Sequence, residues 1–169
     1  MKITTMIPFL LLPALAIFLS KKNNNMQPKN EDKISKLHPQ IRDKARLLID
    51  TAMKQGIELI ITSGYRTYAE QNVLYEQGRT TPGQKVTNAR GGFSNHNFAL
   101  AFDVVPVVNG KLDWNSKEWQ KIGKIGKSLG FKWGGDWKSI KDYPHFEMMF
   151  GNTLAQLRQK KIDNGFVIV

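Results

Sequence analysis

Residues 98–108 constrain the fold more than any other stretch, because Asp103 is the one charged residue in an otherwise apolar run. A run of this length predicts a strand that is buried on both faces. Alternate residues of a strand share a face, so the small residues Ala99 and Ala101 are expected beside Asp103, with the bulky residues opposite. Small side chains on the Asp103 face leave space above the sheet for a metal ion and a substrate.

A histidine precedes this strand, and a second histidine lies far downstream. His96 is seven residues before Asp103, where a turn can bring its ring over the same face. His145 lies within the segment Asp-Tyr-Pro-His-Phe-Glu of residues 142–147, which adds two carboxylates. Two imidazoles, one carboxylate ligand and a spare carboxylate are the components of a catalytic zinc site. Around Asp103 alone, a buried carboxylate paired with a basic residue remains the alternative.

Three separate motifs give the chain a specific resemblance. They are Ser63-Gly64-Tyr65-Arg66, then Ser94-x-His96 with Ala101-x-Asp103, then Asp142-x-Pro144-His145-Phe146. In this order they resemble the zinc D-Ala-D-Ala carboxypeptidase and L-alanyl-D-glutamate endopeptidase family, cell-wall peptidases of bacteria and their phages. The resemblance implies a zinc metallopeptidase that cleaves peptidoglycan stem peptides containing D-amino acids. It also implies that His96, Asp103 and His145 hold Zn²⁺.

The carboxylate at Asp142 indicates a branch of this family. In the L-alanyl-D-glutamate endopeptidase branch an Asp stands three residues before the second metal-binding histidine, and it is the catalytic carboxylate. In the D-Ala-D-Ala dipeptidase branch a Glu holds that place. Asp142 therefore favours the endopeptidase, with Asp142 as the general base and a D,D-carboxypeptidase as the alternative. Glu147 is a rival base, or a partner that orients a ligand histidine.

Three further residues are expected at the substrate. Arg66 follows a predicted strand and precedes a predicted helix, where its guanidinium can bind a carboxylate or carbonyl group. The resemblance implies that Arg66 binds substrate and stabilises the oxyanion, and a structural salt bridge is the alternative. In the family the serine at Ser94 contacts substrate, and it also suits the cap of the turn that carries His96. Gln71, about one helical turn beyond Arg66, is expected to line the same cleft.

The chain departs from the family pattern at Ala99, where Gly is usual. If that Gly allows a close backbone approach, the methyl group of Ala99 narrows the cleft. No predicted ligand changes, so activity is still expected.

Around these motifs the sequence predicts one α+β domain, with a small, mainly antiparallel sheet flanked by helices and the zinc site in a cleft on the sheet. Helices are predicted over residues 39–55, 67–77 and 116–129, and strands over residues 57–62, 98–108, 131–133 and 145–147. Asn109-Gly110 predicts a hairpin turn. Gly123 and Gly126 are expected to let their helix pack closely on the sheet. His38 is expected to be a surface or capping residue.

The N-terminal region is expected to lie outside this domain. Residues 1–20 are predicted to be a signal peptide or membrane anchor. The apolar run of residues 6–19 would span only about 21 Å as a helix, which favours a signal peptide over a transmembrane helix. Residues 21–34 are polar and predict a linker, which leaves residues 35–169 as the zinc peptidase domain. We expect export to the periplasm or cell envelope, with an uncleaved anchor as the alternative.

Composition limits the other functional classes. The chain has no cysteine, so a metal site must use histidine and carboxylate ligands. Of its net charge of +11, +8 remains in residues 26–169, and a basic surface would concentrate an exported protein on anionic envelope polymers. We expect peptidoglycan stem peptides as partners, no nucleic acid, membrane contact only through the N-terminal segment, and a monomer. A non-catalytic wall-binding module and a nucleic-acid-binding protein are the remaining alternatives.

Overall fold

An antiparallel sheet flanked by helices organises the chain, as the sequence predicts. The structure is a computed structural model that describes residues 29–160, 162–163, 165–167 and 169. Its elements, in chain order, are α1 (Pro39–Lys54), β1 (Leu59–Ser63), α2 (Tyr68–Glu76), β2 (Ala101–Val108), β3 (Lys111–Leu112), α3 (Trp119–Ser128), β4 (Lys132–Trp133), β5 (His145–Glu147), α4 (Leu154–Gln159), β6 (Ile162–Asp163) and β7 (Phe166–Val167). Short 3-10 helices cover Asn95–Phe98 and Gly134–Asp136.

The two faces of strand β2 have different environments. The sheet order is β1-β2-β5-β4, and β3 pairs with the C-terminal end of β2. On one face Phe102 is fully buried and stacks on Phe146 of β5, with ring centroids 5.9 Å apart. On the other face Asp103 lies opposite His145 in the antiparallel register. Because successive strand residues alternate, the hydrophobic core and the polar cluster occupy opposite faces of the same two strands.

The helices follow the predicted pattern, and α1 and α3 pack in the core with the sheet. α1 has Pro39 at its start, and its apolar stripe is buried in the same core as α3 and the sheet. α2 begins with the predicted capping box, in which Thr67 and Glu70 bond each other's backbone N–H groups. In α3, a Cβ atom at Gly126 would overlap the ring of Phe146. The prediction that the α3 glycines permit close packing on the sheet is therefore confirmed.

The predicted central strand begins three residues too early, and Ala99 explains why. Asn95–Phe98 forms a 3-10 helix, and Ala99 ends it in the left-handed conformation with φ 58°. An L-residue other than Gly pays roughly 1–2 kcal/mol there. Ala99 is only 1% exposed, and the consequence that the structure shows is backbone strain; the narrowing of the cleft stays a prediction.

The predicted linker boundary at residue 34 is also wrong. Residues 29–34 are helical, and Ile34 is buried in the core. The Asn30 side chain donates to the carbonyl of Leu59 at 2.9 Å and accepts from the N–H of Ile61 at 2.8 Å. Strand β1 lies at a sheet edge, where backbone groups need partners, and the amide of Asn30 supplies them. The domain therefore includes residues 29–34.

The predicted signal or anchor of residues 1–20, and the predicted linker up to residue 28, lie outside the described residues. Among the residues that the structure does describe, none of the helices has the length and apolar character needed to cross a bilayer.

Candidate active site

His96, Asp103 and His145 converge on the polar face of the sheet. His96 is carried by the 3-10 helix before β2, whereas Asp103 and His145 face each other across β2 and β5. One donor atom from each of the three side chains lies within 4.8 Å of the other two. Both imidazoles are buried, and Asp103 is partly exposed. The chain therefore gathers two nitrogen donors and one carboxylate in one place.

The two imidazoles present different nitrogens to Asp103. Nδ1 of His96 lies 2.8 Å from the carbonyl oxygen of Gly64, which can only accept, so Nδ1 carries the hydrogen. Nε2 of His96 then faces Oδ1 of Asp103 at 3.4 Å. His145 presents Nδ1 to the same oxygen at 3.1 Å, while its Nε2 lies 3.1 Å from Oε2 of Glu147. Two nitrogens and one carboxylate match the three protein ligands of a catalytic zinc site.

The charges of this cluster are strongly coupled. Burial opposes the charge of Asp103, but its contacts with His145 and His96 outweigh it and hold the pKa of Asp103 well below its usual range. Burial likewise opposes the charge of His145, but the hydrogen bonds to Asp103 and Glu147 raise its pKa to about 9. A cation is thus favoured between the carboxylates, and a divalent metal ion fits the cluster because it can replace the proton there.

Asp142 lies half-buried in the segment that leads into β5. Its N–H donates to the carbonyl of Gly134 at 3.1 Å, and its own carbonyl accepts from the N–H of His145 at 3.2 Å. A Cβ atom at Gly134 would overlap the Asp142 carbonyl oxygen and lie 3.1 Å from Cβ of His145, so glycine permits this close packing. Burial raises the pKa of the Asp142 carboxyl, while the charge of His145 acts to lower it. A raised pKa suits a carboxylate that must accept a proton.

The Arg66 side chain is held by two neutral groups. Its Nη1 donates to Oε1 of Gln71 at 2.7 Å, and its Nη2 donates to Oγ of Ser63 at 2.8 Å. No ion pair of Arg66 with a carboxylate occurs in the part of the chain that the structure describes. The positive charge is oriented but not neutralised by these two partners, as binding of an anionic ligand requires.

The structure places Gln71 beneath Arg66, away from the open cleft where the sequence predicts it. Gln71 is 0% exposed, and its Nε2 donates to the carbonyl of Ala89 at 2.8 Å. Its side chain therefore links Arg66 to the loop of residues 78–93, and the expected substrate contact by Gln71 is wrong. Ser94 precedes the 3-10 helix, and its side chain makes no capping hydrogen bond.

Trp137 and Asn95 lie beside the cluster, although neither is among the site residues that the sequence predicts. Trp137 is 38% exposed, and its ring centroid lies 5.1 Å from that of His145. Trp133, four residues earlier, is 2% exposed and belongs to the core. Asn95 donates from its side chain to Oε2 of Glu147. Asn95 is the variable residue x of the Ser94-x-His96 motif. Its place next to His96 is the only feature of the sequence that points to it.

Comparisons with known proteins agree with this arrangement. Residues 87–148 match a family described as D-alanyl-D-alanine carboxypeptidase. The chain is 44% identical over 125 residues to the peptidoglycan L-alanyl-D-glutamate endopeptidase CwlK of Bacillus subtilis (strain 168), across 68% of this chain and 75% of that protein. It is 30% identical over 131 residues to the L-alanyl-D-glutamate peptidase of Escherichia phage T5, across 72% of this chain and 87% of that protein.

A solved structure supports the fold. The Serratia marcescens L-Ala D-Glu endopeptidase ChiX superposes with a TM-score of 0.55 at 24% identity, across 72% of this chain and 87% of that chain. The matching family and the relatives are named for peptidase activity. The chain belongs to the family of D-alanyl-D-alanine carboxypeptidases and L-alanyl-D-glutamate endopeptidases, and the resemblance of its three motifs is confirmed.

Proposed function

We propose that the protein is a zinc-dependent peptidoglycan peptidase that cleaves the bond between L-alanine and D-glutamate in the stem peptide. The convergence of His96, Asp103 and His145 within 4.8 Å carries this proposal. The relative that is 44% identical is named for cleavage of this bond. Asp142 and Arg66 supply a base and a cation that hydrolysis of a peptide bond requires.

The zinc ion would be held by His96, Asp103 and His145. When bound, zinc supplies a Lewis acid that polarises the scissile carbonyl and makes water nucleophilic near neutral pH. A buried pair of imidazoles with one carboxylate provides the nitrogen and oxygen donors that this ion prefers.

The side chains of the chain itself provide proton transfer and charge stabilisation. Asp142 accepts a proton from the attacking water and passes it to the leaving amine. Arg66 donates hydrogen bonds to the carbonyl oxygen as that oxygen gains negative charge. Gln71 and Ser63 hold the guanidinium in place before substrate arrives, so little reorganisation is needed. The hydroxyl of Ser94 is available to bind the substrate peptide.

Replacing Asp142 separates the base from the ligands. We expect Asp142→Ala to reduce hydrolysis of purified muropeptides by roughly 10²–10⁴-fold, the contribution of a general base. The same variant should retain about one zinc per chain, as a catalytic zinc site holds. Mass spectrometry of the products and elemental analysis of the protein measure the two quantities. Loss of zinc from Asp142→Ala would instead make Asp142 a metal ligand.

A D,D-carboxypeptidase is the second candidate, because the matching family model is described by that activity. The two activities release different products from one muropeptide. The endopeptidase separates L-alanine from D-glutamate, whereas the carboxypeptidase removes the terminal D-alanine alone. Asp at position 142, in place of Glu, favours the endopeptidase. Release of D-alanine with the remaining stem intact would reverse this assignment.

Location and assembly form a separate proposal, which the sequence alone supports. We propose that the N-terminal segment directs export to the periplasm or cell envelope and that the enzyme acts there as a monomer. The apolar run of residues 6–19 supports export. The net charge of +11 suits a protein that acts among anionic envelope polymers. N-terminal sequencing of protein recovered from fractionated cells would show whether the segment is cleaved.

A further inference from the structure

We propose that Glu147 and Asn95 are positioning residues that fix the ring of His145 and thereby set the zinc affinity of the site. This inference rests on the proposed metal centre. It concerns two residues that are not among its ligands. It also gives Glu147 one role, where the sequence left it as either a base or an orienting partner.

Glu147 contacts the side of the imidazole that faces away from the ligand cluster. Oε2 of Glu147 lies 3.1 Å from Nε2 of His145, whereas Nδ1 of the same ring faces Asp103 at 3.1 Å. A carboxylate that accepts the Nε2 hydrogen leaves Nδ1 free to donate its lone pair to a metal ion. Rotation of the ring by half a turn would break both contacts, so Glu147 selects one ring orientation.

The backbone fixes Glu147 as firmly as it fixes His145. Both residues belong to the three-residue strand β5, two positions apart, so their side chains lie on the same face. Strand β5 is paired on both sides, where Glu147 lies opposite Ala101 of β2 and Lys132 of β4. The residue is only 9% exposed. Its carboxylate therefore has little freedom to leave the imidazole.

Asn95 contacts the same oxygen of the Glu147 carboxylate as His145 does. Its Nδ2 donates to the oxygen of Glu147 that contacts His145. Its own Oδ1 is buried and has no hydrogen-bond partner. A buried carbonyl oxygen without a partner is destabilising. Any stabilising contribution of Asn95 therefore comes from its Nδ2 group, which donates to Glu147. The Nδ2 group orients the carboxylate of Glu147, and this carboxylate in turn orients the ring of His145.

This arrangement predicts an effect on metal affinity. Histidine ligands commonly donate their second N–H to a carboxylate, and loss of that partner typically weakens metal binding by about 10–100-fold. Glu147 takes that place for His145. Because its contacts lie on the Nε2 side of the ring, it is poorly placed to act as the general base, and Asp142 retains that role.

The zinc dissociation constant of the full chain tests the inference, measured by competition with a fluorescent chelator. We expect Glu147→Ala to raise the constant by about 10–100-fold. Glu147→Gln should lose less, because its amide oxygen can still accept the Nε2 hydrogen. Asn95→Ala should fall between wild type and Glu147→Ala. Asp136→Ala serves as the matched control, since it breaks a surface ion pair with Lys127 and should leave the constant unchanged.

A wild-type dissociation constant in Glu147→Ala would overturn the inference, while zinc binding by the wild type would leave the proposed function standing. No zinc in the wild type would instead overturn the proposed function. Thermal unfolding in excess chelator shows whether each variant is folded without zinc. If Glu147→Ala does not fold, Glu147→Gln and Asn95→Ala carry the test, and unchanged constants in both would overturn the inference.

Discussion

His38 and His145 are both buried, yet their surroundings shift the pKa of the two rings in opposite directions. Burial lowers the pKa of His38, and a hydrogen bond to the carbonyl of Val167 only partly opposes this. Its Nε2 lies 2.9 Å from that oxygen, and its Nδ1 accepts from the N–H of Gln40 at 3.3 Å. His145 is equally buried but lies between the carboxylates of Asp103 and Glu147.

The difference shows that the partners of a histidine indicate its role better than its burial does. Backbone amide and carbonyl groups satisfy a neutral ring, so His38 closes the start of α1 and ties it to the C-terminal segment. Carboxylates stabilise a cation, so the surroundings of His145 suit a protonated ring or a metal ion. The sequence predicts His38 as a surface or capping residue. The capping bond is present, but the ring is 5% exposed.

The largest expected difference between the two histidines is in metal content and activity. We expect His145→Ala to lose zinc and to reduce peptidoglycan hydrolysis by at least about 10³-fold, since a catalytic metal supplies several kcal/mol and each 1.36 kcal/mol is tenfold in rate. His38→Ala should keep about one zinc and most of the activity. Elemental analysis and muropeptide digestion measure both. Equal zinc loss in both variants would remove the distinction.

The second difference is in the stabilisation that added zinc provides. A ligand present at 1,000 times its dissociation constant stabilises the folded state by about 4 kcal/mol. Wild type and His38→Ala should therefore show a thermal midpoint several degrees higher with zinc than with chelator. His145→Ala should show no such shift. A zinc-dependent shift that survives in His145→Ala would place the metal elsewhere on the chain.

The convergence of His96, Asp103 and His145 could be predicted because local patterns and the order of the motifs indicate it. Strand alternation puts Asp103 on the face of the sheet with small residues, and the three motifs supply the histidines in the family's order. The helix boundaries at Pro39 and Thr67 follow equally local rules of capping.

The remaining features depend on contacts between distant residues. Asn30 belongs to the domain because it pairs with an edge strand about thirty positions later. The capping box locates α2 but does not show that Gln71 lies beneath Arg66. The left-handed conformation of Ala99 follows from the 3-10 helix that precedes it, and the apolar run alone predicts a strand there.

Ala99 links the backbone of His38 to that of His96, and its replacement has a smaller expected effect. Its carbonyl accepts from the N–H of His38 at 2.9 Å, and its N–H donates to the carbonyl of His96 at 3.2 Å. Because glycine adopts positive φ without strain, Ala99→Gly should raise the free energy of unfolding by about 1 kcal/mol. Zinc content and activity should not change.

Ala101→Gly is the matched control for Ala99→Gly. Ala101 lies in regular strand β2, where glycine costs about 0.5–1 kcal/mol. Urea unfolding of both variants should therefore give changes of opposite sign. A destabilised Ala99→Gly would show that contacts of the buried methyl group outweigh the backbone strain.

The smallest expected effect is the pH dependence of stability that His38 contributes. In the unfolded chain its pKa is near 6.5, and in the folded chain it is lower. Between these two values the unfolded state binds more protons, so the contribution of His38 is present above pH 6.5. It is lost as the pH falls through the folded-state pKa. The sign is opposite for His145 without zinc, because its folded-state pKa is raised to about 9. Its contribution to the free energy of unfolding is fully present below pH 6.5 and is lost as the pH rises through about 9.

A comparison of wild type with His38→Gln isolates the contribution of His38, because His145 titrates identically in both proteins. The glutamine side chain of the variant does not titrate, so the stability advantage of wild type over the variant should shrink between pH 8 and pH 5. The change cannot exceed about 1.36 kcal/mol for each unit by which the two pKa values differ. Urea unfolding at the two pH values, with chelator present, measures it. A stability advantage that grows on acidification would mean that the folded protein favours a charged His38, and the contrast with His145 would then fail.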